Sequence, residues 1–264
     1  SAKAGGNAAE TFGRMVLPSA PETNPEKDQY EKLFPSTPEE KLESARRSAE
    51  TQVSRGKRLG LNMAVELLER YLAGSGETKF LTRSEARELE PIRQAEQANR
   101  NHFEAAFVDG TSNAGGTEAF HLALKGLKDG ERVELTGVEV QENLPSLGKN
   151  LGGLIRDPDF TLAVGGTIFN ATGNFVAERR GDTIHITGTV KHWWRERYDF
   201  ENSKGEKTGF FSSQAEVLEA HGGGAPFKIA SEWRQQVSGT IHFGNGELGE
   251  VKLRWVDETW PGQR

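Results

Sequence analysis

Asp182-Thr-Ile-His-Ile-Thr-Gly-Thr-Val190 runs straight into Lys191-His-Trp-Trp-Arg-Glu-Arg-Tyr-Asp-Phe200. The first half alternates polar and apolar residues, the period of a half-buried strand. Parity then puts Ile184, Ile186, Val190 and His192 on one face. His185, Thr187, Thr189, Lys191 and Trp193 take the other. Continued extension would add Glu196 and Tyr198 to the His192 face. Asp199 points away unless a turn after Tyr198 brings it round.

Outward from this strand, the C-terminal half reads as more strands. The pattern predicts 160–168, 172–179, 182–193, 226–230, 236–243 and 249–256 as extended. Gly165-Gly166, Arg180-Gly181-Asp182 and Asn245-Gly246 are the turn signals. No helical stretch separates successive strands, so βαβ units are not expected. Short links favour antiparallel pairing in a curved sheet or partial β-barrel.

Upstream the period is helical. Thr37-Pro38-Glu39-Glu40 is a capping box with proline in the first turn. Leu42, Ala45, Ala49 and Val53 follow at helical spacing, and Leu61, Val65, Leu68 and Leu72 resume it after Gly56 and Gly60. A second box, Thr82-Arg-Ser-Glu85, precedes Leu89, Ile92, Ala95 and Phe103. Glu118 to Leu127 reads as a short helix. Glu131 to Thr136 alternates, so the period changes near residue 130. Leu144, Leu147, Leu151 and Leu154 sketch another helix over 144–155, weakened by its glycines. The expected fold class is α+β, an N-terminal helical region followed by the sheet. The expected organisation is a flexible arm over 1–36, a helical region over 37–130 and a β domain over 131–264. The arm rests on the prolines and few periodic apolar positions of the first residues.

Composition narrows the function classes. The chain has 264 residues, 27% charged, with a net charge of −6. Nucleic-acid binding wants clustered Lys and Arg, so no nucleic-acid partner is expected. There are no cysteines, which excludes disulfides, cysteine zinc sites and thiol nucleophiles. No apolar run reaches transmembrane length, and the first residues lack the apolar core of a signal peptide. A start at Ser1 suggests a piece of a longer protein. Nucleotide-loop and nucleophile-elbow motifs are missing. Gly222-Gly-Gly224 lacks the Lys and Ser of a phosphate loop. The six histidines contain no metalloprotease spacing.

The chemistry therefore concentrates at the end of the opening stretch. His192, Glu196, Tyr198 and Asp199 are the candidate catalytic residues. A tyrosine donor, two carboxylates for a metal or water, and a histidine near neutral pKa would suit acid–base work. The same residues also read as structure: Trp193, Trp194, Tyr198 and Phe200 would close the end of a barrel, with Arg195, Glu196 and Arg197 in surface pairs.

Glu196-Arg-Tyr-Asp-Phe200, after a strand ending Gly188-Thr-Val-Lys-His192, resembles the activity domain of the colicin M family of bacterial toxins. That signature is Asp-x-Tyr-Asp, five residues, then His-Arg. Tyr198 and Asp199 fall on its Tyr and Asp, and Glu196 on its first Asp. Gly205 and Glu206 stand where the family has His-Arg, with Lys204 and Lys207 flanking. Thr172-Gly-Asn-Phe175 and Ser238-Gly-Thr-Ile-His-Phe243 are similar to the strands on either side of the signature. The resemblance implies a toxin or secretion-system effector that cleaves the undecaprenyl-pyrophosphate linkage of lipid II with Mg²⁺. It implies a lipid-linked peptidoglycan precursor as substrate and an immunity or delivery protein as partner. The place of action would be the periplasm of a target bacterium. The alternative is a non-catalytic binding or structural module of a toxin or secretion machine.

Overall fold

A computed structural model describes residues 36–111, 116–144, 157–164, 167–200 and 212–259. The expected arm except Ser36, the helix over 144–155 after its first residue, the Gly165-Gly166 turn, and Lys204, Gly205, Glu206 and Lys207 lie outside these. The chain gathers into two compact units, each built from three stretches. The first takes the chain up to Lys79, Pro145–Thr167 and Glu196–Ile229, and the second takes Phe80–Leu144, Ile168–Arg195 and the chain from Ala230.

In the first unit, α1 (Pro38–Arg58) starts where Thr37 and Glu40 exchange reciprocal hydrogen bonds, as the capping box predicts. Gly56 stays inside the helix, and the break comes at Leu59-Gly60, where Gly60 has a φ of 72°. Helix α2 (Asn62–Leu72) has no cap of its own. Its first N–H groups are satisfied from far along the chain: Asp159 accepts from the Met63 and Ala64 amides, both at 2.8 Å. A carboxylate there also faces the positive end of the helix dipole.

Asp159 sits in a helix, α6 (Pro158–Val164), where the sequence pattern predicted a strand over 160–168. The reason is local. Asp157 accepts from the Phe160 amide at 2.9 Å, and Pro158 suits a first turn, so a helix start overrides the short apolar run. Helix α7 (Ser212–Ala220) closes this unit. Its core joins Ala45 and Ala49, Leu67, Leu68 and Tyr71, Phe160, Leu218, and Tyr198, Phe200 and Phe227, all buried.

The second unit opens with α3 (Arg83–Glu88), begun by the Thr82/Glu85 box. Helix α4 (Glu90–Asp109) ends at Gly110 with a φ of 75°, a left-handed cap. Helix α5 (Glu118–Lys125) follows. The six strands form one open sheet in the order β1-β5-β4-β3-β2, with β6 also paired to β5. They are β1 (Lys79–Leu81), β2 (Arg132–Leu144), β3 (Thr167–Arg180), β4 (Thr183–Tyr198), β5 (Phe227–Gly244) and β6 (Glu247–Asp257). The fold is α+β, with most helix before most strand.

Two hairpins carry the sheet. β3 and β4 pair antiparallel from Arg180↔Thr183 to Phe169↔Trp194 across Gly181-Asp182. β5 and β6 pair antiparallel across Asn245-Gly246, whose φ values of 54° and 79° are those of an Asn-Gly type I′ turn. The predicted strands 226–230 and 236–243 are one strand, β5. Ser231 and Gln235 are buried polar residues that break the alternation between them. Within this unit α4 lies on β2 and drives Phe103 and Phe107 edge-on against Phe175, with ring centroids 5.6 and 5.0 Å away. Phe175 needs bare backbone beneath it: a Cβ on Gly188 would meet the Asn174 carbonyl oxygen at 2.3 Å and the Phe175 ring at 2.6 Å. No helix of the described residues is long and apolar enough to cross a membrane.

Candidate functional site

β4 stays extended to Tyr198, so its parity holds throughout. Ile184, Ile186, Val190, His192, Trp194 and Tyr198 are buried, and Glu196 on the same face is half-buried. The four candidate residues divide between the units. Glu196, Tyr198 and Asp199 belong to the first and His192 to the second.

Tyr198 is a core side chain. Its ring stacks on Phe227 at 5.2 Å and meets Phe200 at 6.0 Å and Tyr71 at 6.4 Å. Burial pushes its phenol well above the ordinary range. Tyr71 beside it donates from its hydroxyl to Glu219 Oε1 at 2.8 Å. Burial first, and then Glu219, push that phenol up too.

Asp199 has 14% of its side chain exposed and pairs with Arg197 Nε at 2.9 Å. Glu196 accepts from the Arg197 amide at 3.0 Å. Burial raises the Glu196 carboxyl above its ordinary value, and the charge of Asp199 adds to the rise. Hydrogen bonds from Thr167 and from the Arg197 amide oppose it without cancelling it. Two carboxyl groups are thus within electrostatic reach, one biased towards its protonated form. Of the residues expected in surface pairs, Arg195 pairs with Glu232 at 3.8 Å and Arg197 with Asp199, while Glu196 is half-buried.

These residues make a poor nest for Mg²⁺. A hard dication wants several ionised oxygens, whereas burial raises the Glu196 carboxyl above its ordinary value and Asp199 is engaged by Arg197. Among the described residues no three His, Asp or Glu side chains converge as a metal site.

His192 has no solvent exposure. Its ring lies nearly parallel to Phe169 (6.0 Å, 11°) and Trp233 (5.6 Å, 27°). Burial lowers its pKa to about 4, against the opposing pull of Glu96 and Gln235. The neutral ring donates from Nε2 to Gln235 Oε1 at 2.9 Å, which leaves Nδ1 buried without a protein partner.

Gln235 connects His192 to a polar cluster that motif reading missed. Its amide donates to Asp257 Oδ1 at 2.7 Å. Arg87 then holds two carboxylates at once, Asp257 at 2.6 and 2.8 Å and Glu96 at 2.8 and 2.6 Å. Arg100, one turn beyond Glu96 on α4, reaches Glu96 Oε1 at 2.6 Å. Hydrogen bonds from Arg87 hold the Asp257 carboxyl down at about 2. Burial works against ionisation of Glu96, but Arg87, His192 and Arg100 together bring it below its ordinary value. The Glu96/Arg100 spacing was the one legible signal, and such pairs usually sit on a solvated helix face. Asp257 lies 170 residues from Arg87, a distance no local pattern spans.

Compared with known proteins, the chain matches no family model, no curated protein and no solved structure.

Proposed function

We propose that this chain is a hydrolytic effector of the colicin M type, acting on the pyrophosphate linkage of a lipid-linked peptidoglycan precursor. The observation that carries the reading is the pairing of a raised carboxyl, Glu196, with the charge of Asp199 at the end of β4. On this reading water attacks phosphorus and passes a proton to Asp199. The phosphorus–oxygen bond to the leaving group breaks, and Glu196 gives its proton to the departing oxygen. Arg197 offsets charge that builds on the phosphate. Tyr198 positions the strand end from within the aromatic core. No step is routed through Mg²⁺. Its partner would be an immunity or delivery protein, and its place of action the periplasm of a target bacterium.

The purified chain should release a phosphorylated headgroup from lipid II. Asp199→Asn should abolish release, and Glu196→Gln should cut it by about a hundredfold or more. Unchanged turnover in both variants, with intact folding, would sink the reading. Toxicity confined to chain kept in the cytoplasm, and lost when an export signal is added, would point to another target.

A second reading is favoured by one observation: the buried Tyr198 ring serves the core. In it the chain is a non-catalytic binding or structural module of a toxin or secretion machine. It predicts no turnover, and an Asp199→Asn variant that still engages its partner.

A further inference from the structure

The Arg87–Glu96–Asp257 cluster borders a cavity of about 310 Å³, within the size range of small-molecule sites. Its remaining wall is Arg93, Gln97, Arg100, Gln235 and Trp255. Charge is not balanced there. Three guanidinium groups line the cavity, and two carboxylates face them. Arg87 is saturated by Glu96 and Asp257. Arg93 is exposed and makes no ion pair among the described residues. Arg100 spends one nitrogen on Glu96, keeps its buried Nε–H without an acceptor, and lies over the Trp255 indole at 5.4 Å. The cavity thus presents one unmatched positive charge, the exposed guanidinium of Arg93, beside the Trp255 indole, in a chain whose net charge is −6.

We propose that this cavity binds a small molecule bearing one carboxylate beside a flat apolar group. The guanidinium fork of Arg93 matches a carboxylate bidentately. Arg100 supplies the second field of positive charge, and Trp255 takes the flat face of the ligand. One negative charge balances the excess, while a phosphate dianion would overshoot it and crowd Glu96 and Asp257. The site stands within the second unit and does not depend on the chemistry proposed for Glu196 and Asp199.

Isothermal titration of the full chain at low ionic strength tests this, with benzoate as probe and benzamide and inorganic phosphate as comparisons. Benzoate should bind saturably, more tightly than either comparison. Arg93→Gln should weaken benzoate about tenfold or more and leave the thermal melt unchanged, because Arg93 is exposed and makes no ion pair among the described residues. Arg93→Lys, which keeps the charge but loses the fork, should fall between the two. Absence of saturable benzoate binding would overturn the proposal. So would undiminished binding by Arg93→Gln, benzamide binding as well as benzoate, or phosphate binding at least as tightly.

Discussion

His192 makes the stability of the second unit depend on pH in a direction set by its burial. The folded ring titrates at about 4, and an unfolded histidine at about 6.5. Above the unfolded value both states are neutral and histidine contributes nothing to the pH dependence. Between the two values the unfolded chain takes up a proton that the folded chain refuses, so stability falls as pH falls. At 1.36 kcal/mol per unit, lowering the pH from 6.5 to 5 costs about 2 kcal/mol. With a urea dependence of about 2 kcal/mol per molar, the midpoint drops by about 1 M. The charged groups around the ring are Glu96, Arg87 and Arg100. Asp257, held at about 2, titrates below the interval, and Glu96, against its burial, is held below its ordinary value by Arg87. Trp193, Trp194, Trp233 and Trp255 all lie in the second unit, so tryptophan fluorescence follows its unfolding. His192→Gln keeps a donor towards Gln235 and removes the titration. It should be less stable at pH 7, through lost stacking between Phe169 and Trp233, yet show a shallower loss from pH 6.5 to 5. An identical pH slope in wild type and variant, or a His192 pKa near 6.5 by NMR, would refute the argument.

Other outcomes follow from the same contacts. Asp159→Ala strips the acceptors from the first turn of α2 and should cost about 1–2 kcal/mol in urea unfolding, with Asp159→Asn recovering part. Gly188→Ala forces a methyl into the Asn174 carbonyl and Phe175 and should cost about 1–3 kcal/mol, seen as a lower melting temperature. Asp257 has a folded value of about 2, below its unfolded value. Its contribution is present above the unfolded value, near 4, and is lost as pH falls through about 2. Asp257→Asn should therefore be less stable than wild type at pH 7, and denaturation curves of the two should converge towards pH 2.

Where local chemistry was decisive, the sequence could be read. Thr37 with Glu40, and Thr82 with Glu85, start helices where their spacing says. Gly181-Asp182 and Asn245-Gly246 turn hairpins, and the parity of β4 follows from alternation alone. Reading failed where a residue obeys a partner far away. Ser231 donates to the Leu81 carbonyl at 3.0 Å and Gln235 bridges His192 and Asp257, so inward-facing polar side chains disguised the middle of β5 as a gap. At α6 the short apolar run reads as extended, and only the Asp157 side chain bonding the Phe160 amide shows the helix start. For the candidate site, parity puts His192 on the face of Ile184, Ile186 and Val190, and that face is buried rather than open to a cleft. The unusually low pKa of His192 comes from being walled in, which composition does not reveal. The arginine cluster stayed hidden because each member alone is an ordinary polar residue on a helix or strand.

The long-range cap on α2 also sets a timetable for synthesis. Helix α2 leaves the ribosome with its leading amides unpaired, and the carboxylate that will accept from Met63 arrives 96 residues later. At about 5–20 residues per second, the nascent helix waits on the order of 5–20 s for that contact. During that interval its apolar face, with Leu67, Leu68 and Tyr71, has neither α6 nor α7 to cover it. That interval lengthens as translation slows, so the yield of folded chain in a cell should respond most to holdase supply when translation is slow.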